Sequence, residues 1–407
     1  MNIKNGIVLI FSGLLAVSCA QKKQIQETSS VENIIEEEEK EPAMRQHYNP
    51  SEKRINDLLH TKLKVSFDWE NQQLNGEAYL TLKPYFYATD SLTLDAKAMD
   101  IHSVRQNDGK SMELKYTYDG EFLRITLPKE YSGTEQYNIY IEYTANPKEV
   151  KQEGSSAISD AKGLYFINHD GADKNKHMEI WTQGETEASS AWFPTIDSPN
   201  EKTTEEIYIT VKNKYTTLSN GLLVESTPNE NGTRTDYWRM DKPHSPYLFM
   251  MAVGEFAVVR DTWKKQDGSE MEVSYYVEKK FEPHARAIFG KTPKMIEHFS
   301  ELLGVEYPWA KYSQVVVRDY VSGAMENTSA TIHGEFLYQT QREIIDGGNE
   351  SIIAHELFHH WFGDLVTCES WSNLPLNESF ANYSQFLWDD FEYGRMEADM
   401  NAYGEME

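Results

Sequence analysis

The stretch His355-Glu356-Leu357-Phe358-His359 decides how the second half of this chain is read. On a helix, residues four apart share a face, so both imidazoles reach one metal ion. Glu356 stands beside that ion, where its carboxylate takes a proton from a water the metal has activated. That geometry is why the five-residue pattern recurs in zinc peptidases. By itself a histidine pair at this spacing also caps a helix or lines a core, and 12 histidines leave room for a chance match. Eighteen residues separate His359 from Glu378, which lies in Leu376-Asn377-Glu378-Ser379-Phe380-Ala381-Asn382-Tyr383. An antiparallel return helix brings Glu378 against the first helix as a third ligand. Two histidines and a glutamate leave a position open for catalysis, whereas a structural site closes with four protein ligands. His360 is about 100° round the helix from His359 and reads as packing or as support for a ligand. Asn382, one turn beyond Glu378, either orients a ligand or faces solvent.

Working outward, the apolar residues keep a helical period. Ile288, Met295, Ile296, Phe299, Leu302 and Leu303 recur at that spacing, with Gly304 as a C-cap. Pro283 suits a first turn, and Pro293 kinks or divides the helix. Residues 314 to 320 read as a strand with Val315 and Val317 on one face. Helices are expected over about 349–362 and 376–391. Ahead of Arg260 the period is two instead: Leu63, Val65, Phe67 and Trp69; Ala78, Leu80 and Leu82; Tyr137, Ile139, Ile141 and Tyr143; Ile207, Ile209 and Val211. Asn107-Asp108-Gly109 and Asn220-Gly221 read as hairpin turns. The expected architecture is an all-β sandwich or saddle over residues 47–260, able to fold by itself, followed by a mixed α+β domain over 261–407.

The chain has 407 residues, 65 acidic against 39 basic, and a net charge of −26, which argues against general nucleic-acid binding. Cys19 and Cys368 are the only cysteines, so a disulfide framework and a Cys-rich zinc site are both excluded. Residues 1–18 read as a secretory signal: Lys4, an apolar run from Ile7 to Val17, then Ser18 before Cys19. The run falls short of the roughly 20 apolar residues a spanning helix needs. Ala16-Val17-Ser18-Cys19 resembles a bacterial lipobox, with Ala16 a departure from its usual larger aliphatic. This resemblance implies an acylated Cys19 and an exported lipoprotein on an envelope membrane. Residues 19–46, with four consecutive glutamates from Glu36, are too polar to fold and read as a flexible tether.

A second motif, Gly323-Ala324-Met325-Glu326-Asn327, ends 28 residues before His355. Together with the histidine–glutamate pattern it resembles the gluzincin aminopeptidases of the M1 family, the group of aminopeptidase N and leukotriene A4 hydrolase. His360-Trp-Phe-Gly-Asp-Leu-Val-Thr367, Trp192-Phe-Pro-Thr-Ile-Asp-Ser-Pro199 and Ala252-Val-Gly-Glu-Phe256 extend the resemblance over residues 50–407. It implies a thermolysin-like catalytic domain that binds one zinc ion through His355, His359 and Glu378, with Glu356 as general base. Glu326 matches the carboxylate that grips the substrate's free α-amine, with Glu185 beside it, and Gly323 to Asn327 match the segment along which the peptide lies. The substrates implied are peptides with a free N-terminus.

The family's oxyanion-stabilising tyrosine lies well beyond the third ligand, and only 29 residues follow Glu378. Tyr383 and Tyr393 are too close to match it. The chain therefore reads as the N-terminal portion of a longer enzyme, with Phe386, Leu387 and Trp388 lacking partners to cover them. Two classes follow: a zinc aminopeptidase, or a membrane-tethered zinc- or peptide-binding protein without turnover. An endopeptidase of thermolysin type needs no amine clamp, and nothing singles out epoxide hydrolysis.

Overall fold

Alternation in the sequence becomes sheet. The computed structural model describes residues 51–109, 111–151 and 154–405. The expectations for the signal, Cys19 and the acidic tether lie outside the described residues. In Asn56–Asp68, Gln73–Pro84, Tyr137–Ala145 and Thr203–Lys212, apolar side chains are buried at nearly every second position. These strands belong to an eight-stranded sheet. From one edge its order is Leu222–Pro228, Thr233–His244, Thr203–Lys212, Asn56–Asp68, Gln73–Pro84, Tyr137–Ala145, Met99–Asn107 and Ser111–Glu113. Pairing is antiparallel except between Asn56–Asp68 and Thr203–Lys212, where Leu63 lies opposite Ile207. A three-stranded sheet and a four-stranded sheet share one core with it, holding Leu80, Leu82, Ile139, Ile209, Trp181 and Trp192.

One expected turn forms and the other does not. Asn107-Asp108-Gly109 follows Met99–Asn107, which pairs with Ser111–Glu113, and Gly109 is left-handed at φ +81°. Asn220-Gly221 instead carries the chain between sheets. Thr216–Ser219 pairs with Met251–Gly254 in the four-stranded sheet, while Leu222–Pro228 pairs with Thr233–His244 in the large one. Glycine is required at 221 because φ is +69° and a Cβ would lie 1.9 Å from the Arg239 carbonyl oxygen. The Asn220 amide donates to the carbonyls of Leu248 and Thr328, both at 2.9 Å, and accepts from Met250 N–H at 2.8 Å.

A five-stranded sheet begins with Phe256–Lys264, so the boundary read near residue 260 falls inside a strand. Its order continues Glu270–Glu278, Tyr312–Val317, Ala330–Gly334 and Ala324–Met325, the last two forming a hairpin at the edge. Tyr312–Val317 is buried throughout. Val315 and Val317 join the core of the first sheets, whereas Tyr312 and Val316 face a second core with Phe299, Ile353, Leu357 and Phe358. The helix with Pro293 is divided, into Ala285–Phe289 and Thr292–Leu303, and Gly304 caps it in the left-handed conformation at φ +63°. The zinc-motif helix is shorter than the pattern suggested, Glu350–Phe358, and its partner is Pro375–Glu392. Trp388 is fully buried in the second core, with its indole N–H donating to Glu350 at 3.2 Å; Phe386 and Leu387 are partly covered. Exposed apolar residues lie elsewhere on the last two helices, among them Phe380, Tyr383, Phe391, Met396, Met400 and Tyr403.

Candidate active site

Ile353, Ala354, Leu357 and Phe358 fasten one face of the helix Glu350–Phe358 into the second core, which turns His355, Glu356 and His359 the other way. The two Nε2 atoms stand 3.0 Å apart. Glu378, in the first turn of the return helix, brings its oxygens to 3.5 Å from His355 Nε2 and 3.6 Å from His359 Nε2. His359 Nδ1 lies 2.9 Å from the Phe362 carbonyl; donating there leaves the Nε2 lone pair for a metal. On the other ring, the Gln385 amide lies 3.2 Å from His355 Nδ1, and Asn382 also interacts with His355. The helix stops at His359 because the chain folds back over that imidazole. Gly363, at φ +140°, makes the close pass: a Cβ there would meet His359 Nδ1 at 3.0 Å.

Glu326 joins from the edge hairpin. One carboxylate oxygen each of Glu326 and Glu356, and one nitrogen of His359, lie within 4.8 Å of one another, and all three residues are buried. Glu356 Oε2 is buried without a hydrogen-bond partner. Burial pushes Glu326 upward and Glu356 well above the usual carboxylate range. Glu185 keeps some surface open to solvent, yet its packing and the Glu326 and Glu378 charges push it up to about 8. Burial lowers His355. It opposes protonation of His359 too, but there Glu326, Glu378 and Glu356 outweigh it and raise the imidazole well above its usual value. Burial likewise works against ionised Glu378, and the two imidazoles prevail, holding it below the usual range. Four carboxylates crowd two imidazoles, and a metal cation and then an ammonium group would relieve the repulsion between them as they ionise. Two imidazole nitrogens, a carboxylate and the orphaned Glu356 oxygen fit zinc in an open site.

The remaining residues of the second motif divide by role. Gly323 is exposed and Ala324 partly exposed at the sheet edge. Met325 is buried against Tyr247 and Leu248, and Asn327 donates to the Leu248 carbonyl at 3.3 Å, so both fasten the hairpin. Ser329 closes its turn in a left-handed conformation at φ +65°. His360 is no ligand: its Nδ1 lies 3.1 Å from the Glu356 carbonyl and its Nε2 accepts from Ser329 N–H at 2.9 Å. Burial holds it at about 3, hence neutral.

Sequence reasoning missed Tyr247. This buried tyrosine hydrogen-bonds Glu326, lies 3.3 Å from Asn377 Nδ2 and packs edge-on against Trp371 at 4.9 Å. No periodic signal marks it, since it sits in a short 3₁₀ turn after Pro246. Gln183 was also passed over; it accepts from the Tyr320 hydroxyl and donates to the Met325 sulfur at 3.3 Å, which places Tyr320 beside the site. Tyr383, by contrast, is exposed and stacks on Phe386.

Comparison with known proteins agrees with this arrangement. Residues 45–248 match the peptidase M1 N-terminal domain and residues 288–406 the peptidase family M1 domain. The chain belongs to peptidase family M1, whose metal is zinc. Aminopeptidase 2, mitochondrial, of Saccharomyces cerevisiae is 27% identical over 346 residues, 82% of this chain and 34% of that protein. Puromycin-sensitive aminopeptidase of Caenorhabditis elegans is 28% identical over 314 residues, 74% of this chain and 31% of that protein. The chain thus spans about a third of the length of these relatives. The fold is shared with the crystal structure of an M1 zinc metallopeptidase from Deinococcus radiodurans, at TM-score 0.69 and 20% identity, over 87% of this chain and 76% of that one.

Proposed function

We propose that this protein is a zinc aminopeptidase that removes N-terminal residues from peptides. The observation that carries the reading is the position of Glu326, whose carboxylate shares one small cluster with Glu356 and His359. With His355, His359 and Glu378 forming a ligand set of their own, a further buried carboxylate this close is placed to pair with a substrate ammonium. In this reading His355, His359 and Glu378 hold one zinc ion per chain. When bound, zinc supplies Lewis-acid polarisation of the scissile carbonyl and lowers the pKa of water.

The chain's own residues do the rest. Glu356 accepts the proton of the attacking water and passes it to the leaving amine. Glu326 and Glu185 pair with the α-ammonium and fix the cut one residue in. The strand Ala324–Met325 ends its sheet, so the backbone from Gly323 offers an edge to which a peptide adds as a further strand. Glu185 and Cys368 lie in the same electrostatic neighbourhood as Glu326, and burial pushes the Cys368 thiol up to about 11, away from nucleophilic use. Comparing hydrolysis of free and N-acetylated peptides tests the reading, because only the free amine meets Glu326; equal rates would refute it.

The signal-like start and Cys19 further support an exported protein held to a membrane by a lipid. No helix among the described residues is long and apolar enough to cross a membrane. Labelling cells with a radioactive fatty acid, with Cys19→Ala as control, tests this placement; an unlabelled protein would rule out the anchor.

A further inference from the structure

The turn that aims Glu326 holds a conformation that its own residues disfavour. A left-handed backbone at Ser329 persists only where the surroundings over-determine it. Here every polar group of Ser329 is engaged. Its N–H donates to His360 Nε2 at 2.9 Å, and its hydroxyl accepts from Gly221 N–H at 2.9 Å. Its carbonyl accepts from Ser313 N–H at 2.9 Å and from Lys311 Nζ at 3.3 Å. The neighbouring Thr328 carbonyl accepts from Asn220. Of these partners only His360 belongs to the segment that carries the zinc-binding histidines.

The His360 ring is fully buried, between the rings of Tyr307 and Tyr312 with centroids at 5.5 and 4.9 Å. Its Nδ1–H donates to the Glu356 carbonyl at 3.1 Å, one turn back, so the Nε2 lone pair faces Ser329. The Trp309 indole N–H donates to the His360 carbonyl at 3.0 Å and fixes the backbone as well. Neither nitrogen of His360 is left for a metal.

We propose that His360 is a positioning residue that sets the separation between Glu326 and the metal ligands, and with it the protein's discrimination for a free α-amine. This rests on the reading of Glu326 as the ammonium partner. Adjacent histidines divide the work: His359 faces the metal, while His360 ties the end of the same helix to the turn three residues beyond Glu326. With that tie cut, the turn keeps its links to the sheets, and Glu326 its bond to Tyr247, but the turn loses its direct hydrogen bond to the helix end that carries the zinc-binding histidines. An error of about 1 Å in such a ruler costs on the order of 10²-fold.

The test uses the full zinc-loaded chain, titrated calorimetrically with leucine hydroxamate and with N-acetyl-leucine hydroxamate. Both reach the metal through the hydroxamate, and only the first has an amine, so the ratio of the two Kd values reports the amine contact without requiring turnover. His360→Leu is expected to lower that ratio by about 10-fold, part of the range for a displaced ruler, with zinc content and the Kd of the acetylated ligand unchanged. His360→Gln, whose amide oxygen accepts from Ser329 N–H, is expected to restore most of it. If His360→Leu does not fold, His360→Asn, polar but too short to reach, takes its place with the same expectation. Glu326→Ala is the reference and should abolish the ratio. A wild-type ratio in His360→Leu or His360→Asn beside a lost one in Glu326→Ala would overturn the positioning role alone. A wild-type ratio in Glu326→Ala would overturn the reading of Glu326 and this inference with it. Equal loss of both ligands in the His360 variants would show general collapse and also overturn it.

Discussion

Gly363→Ala offers the sharpest probe of how the metal site is assembled. Two separate penalties arise at this position. The backbone has φ +140°, a conformation that a residue with a Cβ rarely adopts, costing about 1–2 kcal/mol. The new methyl would also sit 3.0 Å from His359 Nδ1 and 3.1 Å from His359 O, tighter than a normal contact, so something must shift by a few tenths of an ångström. The imidazole is the part most able to yield, and yielding stretches its 2.9 Å bond to the Phe362 carbonyl. Losing such a support to a ligating histidine lowers metal affinity by about 10–100-fold. Gly394→Ala separates the two effects, because Gly394 is left-handed at φ +91° with nothing within 4 Å of a Cβ. It should cost about 1 kcal/mol of stability, from backbone strain alone, and leave zinc binding unchanged. Zinc affinity is read by competition with a chromophoric chelator, and stability by urea unfolding of the metal-free proteins. If Gly363→Ala binds zinc as tightly as the wild type, the close pass over His359 does not hold that ring.

Further outcomes follow from the same geometry. Glu356→Gln in a turnover-competent form should retain zinc and lose about 10²–10⁴-fold in rate, the scale of general-base catalysis, as read by peptide hydrolysis and metal analysis together. Trp388→Ala should destabilise the chain by about 3–5 kcal/mol, read as a lower urea midpoint, because it empties a fully buried site between the two zinc-ligand helices. Glu179 is buried beside Arg318 N–H, and burial pushes it up to about 8 from an unfolded value near 4.5. The folded state therefore binds more protons between those values, so stability should fall as pH rises from about 5 to 8, by a few kcal/mol at most. Glu179→Gln should flatten that slope, and an unchanged slope would show that Glu179 is ionised in the fold.

The metal ligands were legible because their arrangement is local: a four-residue spacing on one helix, then one return helix. The strands were legible for the same reason, since burial at every second position writes itself into Ala78, Leu80 and Leu82 or Ile207, Ile209 and Val211. Asn220-Gly221 misled because the dipeptide reports only that the backbone turns left-handed, not which strands lie on either side. Its glycine answers to Arg239 and its asparagine to Leu248 and Thr328, partners 18 or more residues away that no local pattern encodes. Tyr247 and the Ser329–His360 contact were hidden similarly, being single contacts between distant segments. The helix end at Phe358 rather than Phe362 follows from Gly363, whose role shows only once the chain has folded back on His359.

The strand Tyr312–Val317 has a consequence for how the molecule melts. Val315 and Val317 complete the apolar interior of the β-rich half, as do Ala330 and Ile332, while Tyr312 and Val316 complete the interior behind the zinc helices. Neither half can release this strand without stripping the other, so residues 49–407 form one compact unit rather than two beads. Thermal unfolding should then be a single cooperative step, with calorimetric and van't Hoff enthalpies in agreement. A fragment ending at Arg260, which the sequence alone presents as self-sufficient, would expose a greasy seam and behave as a sticky, loosely packed globule.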